Sequence, residues 1–296
     1  MVNETQSIWV KMQKVDRRVI YSLLLLSIVL PMLSPAVKFP IIPSQQSIDF
    51  FNGINDVAAK TPGKLVIVDG FWANGTRGEQ QWQTQAILTH LMRKHLKFAL
   101  LSFDTQNETL MPKIAADLAK EYGYRYGTDY INWGYRPVPQ QTIKGLVTDV
   151  PGTIGHDFSG KSVTSFPVMH GIKSSADIGA VIDITPVSSI VNWIGLFQGA
   201  NNTPLFYAPT AVMAPEGYPY LDSGQITGLL TGIKGAGDYE TLLHVHSLGS
   251  QATSALSFVY ALIILLIIVG NIGYFQERAS LAGSRDNPHS GSGNAN

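Results

Sequence analysis

The 296-residue chain reads as an α/β domain held between two transmembrane helices, one near each end. Three observations carry that reading. Short β-branched runs alternate with amphipathic helical stretches between residues 46 and 207, a charge-free apolar segment lies near each end, and only 14% of the residues are charged.

The first apolar segment is 19–37 (VIYSLLLLSIVLPMLSPAV), which has no Asp, Glu, Lys or Arg and at about 1.5 Å per residue just spans a ~30 Å hydrocarbon core. Pro31 and Pro35 fall in its outer half, where freed carbonyls find partners near the interface. A cleaved signal peptide is the competing reading, but the polar leader is long and no small-x-small site follows. The domain begins with 46–60 (QSIDFFNGINDVAAK), whose Ile48, Phe51, Ile54 and Val57 have helical spacing. Lys64–Asp69 (KLVIVD) then reads as a buried strand, Gln80–His95 as a helix, Phe98–Phe103 as a strand and Met111–Tyr122 as a helix. A third strand is expected at Tyr130–Trp133, a helix at Gln140–Val147, a fourth strand at Ala180–Ile184, a helix at Ser188–Phe197 and a short strand at Leu205–Tyr207. Such alternation predicts a doubly wound, mostly parallel sheet, Rossmann-like or flavodoxin-like, over residues 38–251.

Residues 223–237 (SGQITGLLTGIKGAG) space Gly224, Gly228 and Gly232 four apart, with Ile226, Leu229, Leu230 and Ile233 between them. On a helix these glycines would line one face and form a packing interface within the chain or with another subunit. The second transmembrane helix is expected at 252–275, built around Ala255–Val269 (ALSFVYALIILLIIV). Lys11, Lys14, Arg17 and Arg18 precede the first segment, Arg278 and Arg285 follow the second, and both ends are therefore expected in the cytoplasm. Residues 1–18 form the cytoplasmic N-terminus, and 276–296, rich in Gly, Ser and Asn, read as a disordered cytoplasmic tail. The domain between the spans is then extracytoplasmic.

In a doubly wound sheet ligands sit beyond the carboxyl ends of the strands, where Asp69, Asp104 and Asp183 fall, close to Ser102 and Thr185. Three converging acids could bind a cation, a sugar or a polar partner; equally, Asp after a strand commonly caps a helix or fixes a loop. The turn after the first strand, DGFWANGTRGEQQW, spreads Gly70, Gly75 and Gly78 too widely for a pyrophosphate cradle. The sequence contains no Walker lysine motif, G-x-S-x-G elbow or H-E-x-x-H pair, so no cofactor and no catalytic residue is assigned. His244 and His246 form an isolated HxH with no evident third metal ligand, and His156 and His170 read as loop histidines. The absence of cysteine excludes disulfides and thiolate chemistry. Balanced charge, 21 basic against 21 acidic, gives no electrostatic footprint for nucleic acid. Asn74, Asn107 and Asn201 each open an Asn-x-Thr triplet permissive of glycosylation.

Three stretches carry a family resemblance: DRRVIYSLLLLSIVLPMLSP, YGTDYINWGYRP and TAVMAPEGYPYLDSGQITGLLTGIKGAGDYETLL. In them the chain resembles a family of uncharacterised prokaryotic membrane proteins. The resemblance implies only the anchored architecture and leaves the function open, and the chain departs from the family pattern at FWANGT. The expected partners are the lipid bilayer and other membrane proteins or a second copy of the chain. The leading functional expectation is a non-enzymatic, membrane-tethered accessory or scaffold subunit; the runner-up is an anchored enzyme or small-ligand receptor using the strand-end acids. A transporter is third, since two spans without an Asp, Glu, Lys or Arg enclose no coupled pathway.

Overall fold

The computed structural model describes residues 16–34, 37, 39–245 and 247–285. They fall into two compact units, Ile41–Thr253 and a second made of Met1–Pro40 with Ser254–Asn296.

The second unit contains α1 (Arg17–Leu33), whose first turn is capped by the Asp16 carboxylate accepting from the Arg18 amide. At 17 residues α1 is about 26 Å long, and of the described helices only the C-terminal one is long and apolar enough to cross a bilayer. Pro35, Ala36 and Lys38 of the expected first span lie outside the described residues, as do Lys11 and Lys14.

In the domain, α2 (Gln45–Lys60) leads into β1 (Leu65–Gly70), α3 (Arg77–Arg93), β2 (Phe98–Ser102), α4 (Asn107–Tyr122) and β3 (Tyr130–Tyr135). Next come α5 (Pro139–Thr148), α6 (Val150–Ile154), β4 (Ile178–Thr185), α7 (Ile190–Trp193, continued by a wider turn Ile194–Gln198) and β5 (Leu205–Pro209). The order ends with α8 (Ala214–Asp222), β6 (Gly228–Leu229), α9 (Gly232–Leu242) and α10 (Leu248–Arg285). All strand pairs are parallel, in the order β3-β2-β1-β4-β5-β6. That is the Rossmann order, and it decides against the flavodoxin-like alternative, in which β2 lies at the edge.

The central strands are buried on both faces, which is why they read as continuous β-branched runs. One face sends Val66, Val68, Leu100, Ile182 and Phe206 against Phe50, Ile54, Ile87, Leu91 and Tyr239. Alternate residues Leu65, Ile67, Leu101, Val181 and Leu205 pack on Ile143, Leu146, Ile190, Trp193 and Phe197.

Two expectations are corrected. Gly224, Gly228 and Gly232 do not share a helix: Gly224 lies in a turn at φ 73°, Gly228 is in β6, and Gly232 opens α9 at φ 52°. Positive φ and close approach explain their choice, since a Cβ on Gly228 would run into the backbone of Phe50. The four-residue spacing therefore reports a turn, a strand and a helix start. Residues 276–285, expected within a disordered tail, continue α10, while 286–296 lie outside the described residues.

Candidate functional site

In the Rossmann order the chain winds outward from β1 on one side and from β4 on the other, leaving a crevice at their carboxyl ends. Asp69 of β1 and Asp183 of β4 are register partners there, both wholly buried. Tyr207 of β5 is the next residue in the same row, opposite Asp183. The row therefore sets three polar side chains into a sheet face that is otherwise apolar.

The helix after β4 supplies the donors. Trp193 Nε1 donates to Asp69 Oδ2 at 2.9 Å, and Ser189 Oγ lies 3.0 and 2.8 Å from the two oxygens of Asp183. Asp69 Oδ1 and the Tyr207 hydroxyl have no hydrogen-bond partner among the described residues. Burial pushes the Asp69 carboxyl up to about 8, against the pull of the Trp193 bond. Asp183 is also held well above the ordinary carboxylate range, first by burial and then by the Asp69 charge, with Ser189 opposing. The Tyr207 phenol is pushed up by burial and by Asp183. Two bare charges buried side by side repel, so each carboxyl is pushed toward its neutral form and the two titrate together.

Asp104 does not join the pair. Its Oδ1 accepts the Gln106 amide at 2.7 Å, fixing the turn after β2, and Ser102 Oγ bonds the Gly70 and Asp104 carbonyls. Thr185 Oγ1 likewise ties the loop after β4, donating to the Val187 carbonyl. The first turn of α3, where a pyrophosphate would meet a helix N-terminus, is met by the chain's own Glu79, whose Oε2 accepts the Ala211 amide at 2.8 Å. Beside it, a cavity of 250 Å³ lies between α3 and α4, lined by Trp72, Arg77, Leu110 and Lys113 among others. No group of three or more His, Asp or Glu side chains among the described residues is placed to hold a metal. His246 of the HxH lies outside the described residues.

Asn107 is wholly buried and donates from Nδ2 to the Gly70 carbonyl, so its triplet is closed to glycosylation in the folded domain, whereas Asn74 and Asn201 are exposed. Ser189, Trp193 and Tyr207 carry no motif. The Ser188–Ser189 pair before a helix was the available signal for the first, while the other two follow only from strand register and helix placement.

No family model matches the chain, and no curated protein or solved structure is significantly similar to it. The fold assignment rests on strand order alone.

Proposed function

We propose that the protein is a membrane-tethered accessory or scaffold subunit of a membrane-protein assembly, presenting an extracytoplasmic α/β domain. The observation that carries this is the closure of the switch-point crevice. Asp69 and Asp183 are 0% exposed and are held by Trp193 and Ser189, so the place this topology reserves for ligands is spent on internal packing. The apolar stretch Leu248–Ala279 of α10 supports membrane insertion, and the second span of the proposed topology rests on the charge-free sequence 19–37. Arg17 and Arg18 before that segment, with Arg278 and Arg285 after the other, favour cytoplasmic termini. Native-detergent purification with cross-linking tests the reading. A complex with another membrane protein or with itself is expected; a lone monomer with nothing cross-linked to it counts against it.

A second reading, an anchored enzyme or small-ligand receptor, draws on the buried Asp69 Oδ1, which has no hydrogen-bond partner among the described residues, and on Asp183, whose carboxyl burial holds above the ordinary range. Under it, replacing Asp69, Asp104 and Asp183 together by Asn abolishes ligand-induced thermal stabilisation. Unchanged stabilisation by a bound ligand removes its basis.

A further inference from the structure

We propose that the carboxyl-terminal crest of the sheet is the face of the domain turned to the bilayer, and that its exposed aliphatic side chains sit in the lipid interface. This rests on the membrane-tethered reading above.

Both places where the domain's chain continues toward an apolar segment lie at this crest. Helix α9 begins there: a Cβ on Gly232 would meet Ala211, in the loop after β5, and Glu79, in the first turn of α3, the helix that follows β1. Its other end is at the opposite edge, where Arg93, at the end of α3, donates from Nη1 to the Leu243 carbonyl at 2.6 Å. The entering chain reaches the domain beside the start of α9. Lys234 Nζ donates to the Ile42 carbonyl at 3.0 Å, and the Ser44 amide to Asp238 Oδ2 at 3.0 Å.

The departing chain returns to the same end. The amides of Gly249 and Ser250, in the first turn of α10, donate to the buried Glu240 carboxylate, at 3.2 and 2.7 Å. A few residues later Thr253 Oγ1 lies 2.9 Å from the Ile233 carbonyl, and a Cβ on Gly237 would strike Thr253. The opening of α10 therefore runs antiparallel to α9, back to the crest. The apolar run Ala255–Val269 begins two residues after Thr253 in the sequence. With a two-residue step from the last domain contact to the apolar run, the reach of the chain keeps the crest close to the membrane.

The crest surface suits that position. The loops after β3, β4 and β5 each expose an aliphatic side chain, Val138 at 45%, Val187 at 41% and Val212 at 84%, and Ile42 at the chain entry is 80% exposed. Exposed aliphatics on three separate loops cost little in water singly, but together they form an interfacial contact of the kind that binds by shallow insertion.

The chain has no cysteine, so single-cysteine variants report position directly. Full-length V187C, V212C and, at the opposite end on α4, K120C are labelled with an environment-sensitive dye and reconstituted into phosphatidylcholine vesicles. Lipids brominated about 5–10 Å below the headgroups serve as contact quenchers. The expected result is loss of most emission at positions 187 and 212 and none at 120. Quenching at 120 instead, or at none of the three, in protein that floats with the vesicles overturns the crest assignment while leaving the anchors standing. Protein that does not float with the vesicles overturns the tethered reading and this proposal with it.

Discussion

Replacing Asp69 by Asn should flatten the pH dependence of stability. In the folded chain burial raises the Asp69 carboxyl to about 8, against 3.8 when exposed, so between these values the folded state binds a proton the unfolded state releases. Stability from this group is complete below pH 3.8 and is lost as pH rises through 8. At about 1.4 kcal/mol per pH unit, integrated over the titration, the loss is roughly 2 kcal/mol from pH 6.5 to 8 and roughly 4 kcal/mol from pH 5 to 8. Asp183 adds a contribution of the same sign. His90 opposes them in acid: burial and then Lys94 and Arg93 push it down to about 3, so its contribution is lost as pH falls below 6.5. The window from 6.5 to 8 therefore isolates the carboxyl pair. The assay is thermal unfolding in detergent micelles followed by tryptophan fluorescence. At about 2–4 °C per kcal/mol, the wild type should lose roughly 4–8 °C across that window. In the Asp69→Asn variant the new carboxamide keeps an acceptor for Trp193 and has no titrating proton, so the variant should lose much less and match or exceed the wild type at pH 8. A wild type equally stable at pH 6.5 and 8, or an Asp69→Asn variant with the same slope, refutes the buried protonated pair.

Trp193→Phe removes the indole donor while keeping most of the packing, so it should cost about 1–3 kcal/mol and move the Asp69 titration to higher pH, read in the same melts. Gly228→Ala forces a methyl into the backbone of Phe50 and should destabilise by about 1–3 kcal/mol or prevent folding, measured by melting and by soluble yield. Glu240→Gln keeps one acceptor oxygen and turns an NH2 group toward one of the two amides of Gly249 and Ser250, and should cost about 1–3 kcal/mol, seen as faster hydrogen exchange over residues 247–253.

What was legible in the sequence follows from where each element sits in the sheet. The strands β1, β2 and β4 are central and parallel, buried on both faces, so their runs of Leu, Val and Ile announce them without ambiguity. The edge strand β6 is two residues long, Gly228 and Leu229, inside a glycine pattern that fits helical spacing equally well; only the approach of Phe50 explains it. The expectation of acids at strand ends reached Asp69 and Asp183, because an Asp within the last residues of an otherwise apolar buried strand is conspicuous. It could not separate them from Asp104, since β2 stops at Ser102 and Asp104 lies in the turn beyond. Nor could it supply Trp193, whose pairing with Asp69 depends on α7 crossing back to β1, a contact 124 residues away in sequence.

The orientation of the crest bears on both functional readings at once. The acid pair lies at the carboxyl ends of β1 and β4, so a crest turned to the bilayer places the closed crevice on the membrane side of the domain. A freely diffusing polar metabolite would then have to enter between the domain and the lipid headgroups, past Val187 and Val212, before displacing Trp193 from Asp69. A partner anchored in the same bilayer meets no such barrier, because tethering fixes its distance from the membrane and raises its effective concentration. The receptor reading thus requires an amphiphilic ligand drawn from the membrane surface, and the scaffold reading requires only a lateral neighbour. Labels at 187 and 212 that move out of lipid when a partner is co-reconstituted would favour the neighbour, whereas labels that stay put while Asp69→Asn changes binding of an amphiphile would favour the ligand.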